Sequence, residues 1–148
     1  MDARLDLYGN TVAAKFAKYI NSAGAVVTSS ALPAATQELV KIRASQINGC
    51  AFCTDMHTKE ATLAGETSIR LNLVAAWREA TVFTEAERAA LELTEAATRL
   101  TEAGVSDEIY ARAAAHFTDV ELAELIWAIA VINTWNRLGA TAHPWPLS

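Results

Sequence analysis

Two cysteines are all the chain contains, and they stand three residues apart as Cys50 and Cys53. That excludes the disulfide framework of small secreted domains. Runs of lysine and arginine are missing as well, and the formal net charge is −5. A general nucleic-acid binder would show a basic face, so no nucleic-acid partner is expected. Long hydrophobic runs are also lacking. The most apolar stretch, residues 122–138, is interrupted by Glu124, Asn133, Asn136 and Arg137, which argues against a membrane span and a membrane partner. The opening Met1-Asp2-Ala3-Arg4-Leu5-Asp6 lacks the basic-then-apolar order of a secretory signal, so the expected location is cytoplasmic. Charge is sparse at 20%, against 52% hydrophobic residues. This apolar balance points to a surface covered by a partner, most simply another copy of the chain. A length of 148 residues suits one domain over residues 1–148, large enough to bury a core without disulfide or metal.

Strand-like period-two runs are absent too, and the punctuation is helical, so the expected class is all-α with six to eight helices. A first helix is expected over residues 2–20, with Leu5, Val12, Phe16 and Ile20 near one face. Asn21, Ser22 and Gly24 are read as its stop, and a short helical piece follows over residues 25–31. Pro33 fits the first turn of a helix reaching residue 46, ended by Asn48-Gly49. The next helix opens at Cys50 and runs to residue 64, and another covers residues 68–76. Thr84-Glu85-Ala86-Glu87 and Thr118-Asp119-Val120-Glu121 read as capping boxes for helices reaching residues 102 and 140. A helix over residues 106–117 lies between them. Pro144 and Pro146 make the tail irregular.

The segment Gly49-Cys50-Ala51-Phe52-Cys53-Thr54-Asp55-Met56-His57 carries the chemistry. At a helix N-terminus, unpaired backbone N–H groups favour an anion, so a thiolate at Cys50 is stabilised. Positions three apart share a helix face, at a separation of roughly 5–6 Å that a disulfide can span. The pair can thus cycle between dithiol and disulfide. His57, one turn after Cys53, is placed to take a thiol proton. A carboxylate behind the ring would fix its tautomer, and Glu38 on the preceding helix is the candidate. Cys50, Cys53, His57, Ala61 and Ala64 form one stripe, expected to present the sulfurs. Phe52, Met56 and Leu63 form another, expected to pack in the core. Alternatives stay open: two inert buried cysteines, a metal site using Cys50, Cys53 and His57, or a non-catalytic scaffold for assembly.

Glu38, Cys50 twelve residues later, Cys53 and His57 resemble the E-x11-CxxC-xxx-H signature of the AhpD-like alkylhydroperoxidase group, within the carboxymuconolactone decarboxylase superfamily. Residues 47–61, Ala76-Trp77-Arg78-Glu79 and Ile132-Asn133-Thr134-Trp135-Asn136-Arg137-Leu138 agree with that group, so the likeness spans residues 38–138. The resemblance implies a multi-helix fold with the CxxC at a helix N-terminus, and homotrimers or homohexamers. It implies reduction of a small-molecule peroxide without metal, haem, flavin or other cofactor. Cys53 would attack the peroxide, Cys50 would resolve the sulfenic acid to a disulfide, and Glu38 with His57 would relay the proton. An external dithiol, lipoyl or thioredoxin-like, would restore the thiols. In this picture Cys50 is the exposed exchange partner and Cys53 the sheltered attacker. Peroxidases of the group carry a histidine just before the second cysteine, where this chain has Phe52. The decarboxylase branch lacks the CxxC, so lactone decarboxylation is not expected.

Beyond this segment, Trp77, Trp127 and Trp135 read as core or interface anchors, or as the wall of a cavity. Arg78 and Arg137 read either as partners for acids such as Glu79 inside an oligomer or as part of a solvated face, and Arg88 with Glu92 as a surface pair. His116 reads as a cation at a helix end, and His143 has no assigned role.

Overall fold

A computed structural model describes residues 2–145 of the chain; Pro146 therefore lies outside the described residues. Among these there are seven α-helices and no strand: α1 Thr11–Thr28, α2 Ala34–Asn48, α3 Ala51–Leu63, α4 Ser68–Leu73, α5 Glu85–Thr98, α6 Asp107–Ala114 and α7 Asp119–Ala142. A single 3₁₀ turn, Val74–Ala76, follows α4. None of the described helices is long and apolar enough to cross a membrane.

Helix α2 packs against α3, α5 and α7. Burial on several sides explains its lack of a polar face: Leu39, Val40, Ile42 and Ala44 are buried, and so are Thr36, Gln37 and Ser45. Gln37 and Ser45 are satisfied locally. Gln37 Nε2 donates to Leu32 O at 2.8 Å, and Ser45 Oγ donates to Lys41 O at 2.7 Å. One apolar cluster joins Val27, Val40, Leu93, Leu122 and Leu125. A second gathers Leu39, Ile42, Val74, Trp77, Phe83 and Leu91.

Both capping boxes form, Thr84 with Glu87 opening α5 and Thr118 with Glu121 opening α7. The N-terminal third differs from the sequence expectation. There is one helix, α1, and not two pieces over residues 2–20 and 25–31. Asn10 is its N-cap, accepting from Val12 N and Ala13 N. Helix-breaking by Gly24 costs only about 1 kcal/mol, and here glycine faces α7, where an added Cβ would stand 3.9 Å from Val131. That contact is an ordinary one, so the packing of α1 along α7 simply tolerates the small local cost. The segment before α1 crosses to the other end of the chain, where Arg4 N donates to Ala142 O at 2.8 Å.

The ion pairs also differ from expectation. Arg88 does not pair with Glu92. Its guanidinium donates to the carbonyls of Trp77, Ala80 and Arg78, while Glu92 holds Arg112 of α6. Arg78 pairs with Glu95 and not with Glu79. Glu95 also accepts from Arg43 Nε at 2.8 Å and from Trp77 Nε1 at 2.9 Å. Burial pushes the Glu95 carboxyl up, but the hydrogen bonds from Trp77, Arg78 and Arg43 together outweigh it and hold it below the usual glutamate range.

Candidate active site

The turn between α2 and α3 sets the position of the sulfurs. Gly49 is left-handed at φ 66°, a conformation open to glycine without steric cost. Gly49 N donates to Gln46 O at 3.3 Å, and Cys50 N donates to Ser45 O at 3.0 Å, the paired bonds of a Schellman ending. Cys50 is also the N-cap of α3: its Sγ accepts from Cys53 N at 3.3 Å. One residue thus closes α2 and opens α3, which leaves its sulfur little freedom. The two cysteines are joined in a disulfide, with Cα atoms 5.3 Å apart.

A polar network ties this turn to α7. Asn48 Nδ2 donates to Asn133 Oδ1 at 2.9 Å and to Asn136 Oδ1 at 3.0 Å. Asn136, fully buried, donates through Nδ2 to Ser45 Oγ at 3.0 Å. Asn133 in turn donates to Thr98 Oγ1 at 3.0 Å. The asparagines of the Asn133–Asn136 segment therefore hold the CxxC turn through the side chains of Asn48 and Ser45.

Helix α3 is turned the opposite way from the sequence expectation. Cys53, His57 and Ala61 form its buried face, and Cys50 is as sheltered as Cys53, at 3% and 2% exposure. Leu63, expected in the core, is 88% exposed, and Ala64 is exposed too. Two sulfurs and a half-apolar imidazole suit the inner side of a helix packed against α2 and α7. Phe52 and Met56 instead line a cavity.

That cavity, about 420 Å³, is bounded by α1, α3 and α7 and by Trp145 of the tail. Cys53, His57, Glu60 and Lys41 stand on its wall among Val27, Phe52, Met56, Val131, Ile132 and Trp135. Phe52 stacks on Trp145 with ring centroids 4.9 Å apart. Trp135 packs on the same indole at 6.0 Å. Of the other tryptophans, Trp77 is core and Trp127 is 64% exposed. The opposite side of the turn, with Gln46, Gly49, Cys50 and Thr54, borders a shallow open groove.

The structure brings Glu38 and His57 together: Glu38 Oε2 lies 3.2 Å from Nδ1. A second carboxylate, Glu60 Oε2, lies 3.0 Å from the same nitrogen. Its spacing of three residues after His57 was a signal the sequence carried. Lys41 Nζ holds the other oxygen of Glu38 at 2.7 Å. Burial pushes the Glu38 carboxyl up, but hydrogen bonds from His57 and Lys41, with their charge attraction, prevail and hold it below the usual range. An ionised Glu38 fixes Nδ1 as the donor and leaves the other ring nitrogen as the acceptor. Ligand atoms of Glu38, His57 and Glu60 lie within 4.8 Å of one another, so these three, and not the cysteines, are the group among the described residues that could hold a cation. Lys41 already neutralises part of their charge.

A further glycine matters here. A Cβ on Gly139 of α7 would stand 2.9 Å from Cys50 Sγ and 3.1 Å from the Trp145 ring. The absent side chain is what lets α7 pass over the disulfide. Only the tertiary structure reveals this, since the sequence near Gly139 carries no mark of it.

Comparison with known proteins agrees with the geometry. The sequence profile of the carboxymuconolactone decarboxylase family matches residues 14–96. Over 109 residues the chain is 44% identical to the uncharacterized protein YdfG of Bacillus subtilis, covering 74% of each chain. It is 36% identical over 111 residues to the uncharacterized protein YnjA of Escherichia coli, covering 75% of this chain and 60% of that one. A crystal structure from Agrobacterium tumefaciens, of a protein of unknown function provisionally named as the antioxidant defence protein AhpD, superposes with a TM-score of 0.92. It has 37% identity and covers 99% of this chain and 100% of that one. An uncharacterized peroxidase-related protein from Silicibacter shares the fold, with a TM-score of 0.80 at 16% identity over 91% of this chain and 72% of its own.

Proposed function

Because the chain belongs to the carboxymuconolactone decarboxylase family, we propose that it is a thiol-dependent oxidoreductase that reduces organic hydroperoxides through Cys50 and Cys53. One observation carries this reading: a cysteine pair bonded at a helix N-terminus, with Cys53 sharing a cavity wall with a histidine that is hydrogen-bonded to a partly buried carboxylate.

In the reduced protein, His57 accepts the Cys53 proton, held in one tautomer by Glu38. The Cys53 thiolate attacks the terminal peroxide oxygen. The O–O bond breaks, Cys53 becomes a sulfenic acid, and the alkoxide leaves as an alcohol with the proton returned by His57. Cys50 sulfur then attacks Cys53 sulfur, the S–S bond forms, and hydroxide departs as water with the Cys50 proton. A peroxide has gained two electrons and the protein has lost two. An external dithiol, lipoyl or thioredoxin-like, attacks the disulfide and leaves as a disulfide itself. The open groove beside Cys50 offers an approach separate from the substrate cavity.

The apolar cavity wall favours a carbon-bearing peroxide over hydrogen peroxide. The same dithiol could reduce a small-molecule or protein disulfide, and the Phe52–Trp145 stack favours this second reading. It occupies the wall where the resemblance expects a histidine. The deciding experiment exposes the reduced protein to one equivalent of cumene hydroperoxide and counts thiols. Both should vanish together as alcohol appears, and Cys53→Ser should form no internal bond. Thiols that persist while a disulfide substrate still oxidises them would leave only the second reading.

A further inference from the structure

The wall of the cavity is built from two kinds of segment. Val27 and Val131 come from α1 and α7, and Phe52 and His57 from α3. Tyr8 and Trp145 come instead from the irregular segments before α1 and after α7. Side chains on packed helices are held by the core, whereas irregular segments open at the least cost. The part of this wall able to open is therefore the Tyr8 and Trp145 side.

The two segments are fastened at the end of α7. Arg4 N donates to Ala142 O at 2.8 Å, and Arg4 Nη1 donates to Thr141 O at 3.3 Å. His143 caps α7 in the left-handed conformation, at φ 47° and ψ 50°, which turns the chain back on the helix. A Cβ on Gly139 would meet the Trp145 ring at 3.1 Å and Cys50 Sγ at 2.9 Å. The indole and the disulfide thus share the gap that this glycine leaves. Around the indole, Phe52 stacks at 4.9 Å with the planes 23° apart, Trp135 packs at 6.0 Å and Tyr8 at 6.3 Å. A ring enclosed by the protein's own aromatics offers little face to a ligand, so it serves as a barrier and not as a platform.

We propose that residues 143–145 form a strap across the active site, and that Trp145 selects by size what reaches Cys53. Small hydroperoxides pass the closed strap, and bulky ones enter only when it lifts about His143. The selection of peroxides rests on the function proposed above; the control of access to the Cys53 sulfur does not. A residue with a Cβ is disfavoured in the left-handed region, so ring packing sustains the closed form against that bias. Each aromatic pair favours the closed form roughly two- to tenfold. The Phe52, Trp135 and Tyr8 pairs together should slow a bulky reagent by at least about tenfold.

In Cys50→Ser protein Cys53 is the only thiol, and it can be labelled with two maleimides of one chemistry and different size, N-ethylmaleimide and N-pyrenylmaleimide. Trp145→Ala should raise the ratio of pyrenyl to ethyl labelling at least about tenfold with unchanged circular dichroism. Trp145→Phe keeps a ring and should stay within about threefold of the parent. Tyr8→Ala, at a residue 45% exposed, should raise the ratio by a smaller factor, and it replaces Trp145→Ala as the test if that variant does not fold. An unchanged ratio, or equal acceleration of both reagents, overturns the strap. With both cysteines present, Trp145→Ala should also speed thiol oxidation by cumene hydroperoxide relative to tert-butyl hydroperoxide, and an unchanged relative rate overturns the selection of peroxides. A maleimide ratio that shifts while neither peroxide is consumed keeps the strap and refutes the peroxide reading alone.

Discussion

Replacing Gly139 by alanine sets two opposed effects against each other, and the oxidation state decides which wins. Glycine inside a helix costs about 1 kcal/mol relative to alanine, so Gly139→Ala should stabilise α7 if the methyl group has room. It has none in the oxidised protein, where the new Cβ would stand 2.9 Å from Cys50 Sγ. That sulfur is tethered to Cys53 and its residue is locked between two helices, so relief requires moving backbone. Overpacking of this kind costs about 1–3 kcal/mol. In the reduced protein the Cys50 side chain can rotate away, only the Trp145 ring at 3.1 Å has to give by a few tenths of an ångström, and the helical gain should survive. The variant should therefore lower the oxidised-minus-reduced stability gap by about 1–3 kcal/mol, which is ~2–10 °C in Tm for a domain of this size. Calorimetry of both redox forms at one protein concentration reads this directly. An oxidised Gly139→Ala protein more stable than wild type, with the gap unchanged, would refute the steric argument.

Two further outcomes follow from the site and the ion pairs. Glu38→Gln should slow thiol oxidation by about 10²-fold, the lower end of general acid–base catalysis. Glu60→Gln, at the half-exposed end of the same trio, should slow it by less than about tenfold; stopped-flow fluorescence with equal peroxide excess compares them. Glu38, Glu87 and Glu95 all sit below the usual glutamate range. A lowered carboxyl contributes stability above its unfolded value of 4.5 and loses it as the pH falls through the lowered folded value. Urea midpoints should hold from neutral pH down to about pH 5 and fall below pH 4.5. Glu95→Gln should flatten that fall, and an unchanged acid slope would contradict the assignment.

Much of the helical plan is readable from local chemistry. Thr84 and Thr118 mark their helix starts because the reciprocal bonds of a capping box lie within four residues. Gly49 marks the end of α2 because the left-handed turn is local too. The failures lie where distant contacts override local preference. Gly24 reads as a breaker, yet the packing of α1 along α7 carries the helix straight through it. The faces of α3 are exchanged because a cysteine pair and an imidazole bury as readily as Phe52 and Leu63 do, and hydropathy alone ranks them wrongly. Glu38 could be paired with His57 only through the resemblance and the helix order, and the structure supplies the 3.2 Å contact. Glu60 is legible from its helix spacing, three residues after His57. Gly139 and Trp145 were not legible, because their relation to Cys50 exists only after α7 and the tail have folded back.

The division of labour between the sulfurs can be observed in a protein unable to close the bond. Reduced Cys50→Ser protein, given one equivalent of cumene hydroperoxide and then a sulfenic-acid trap, should carry the adduct on Cys53 while one cumyl alcohol forms per chain. Alcohol formation with Cys53 left unmodified, or no peroxide consumed at all, would contradict the claim that Cys53 sulfur attacks the peroxide bond.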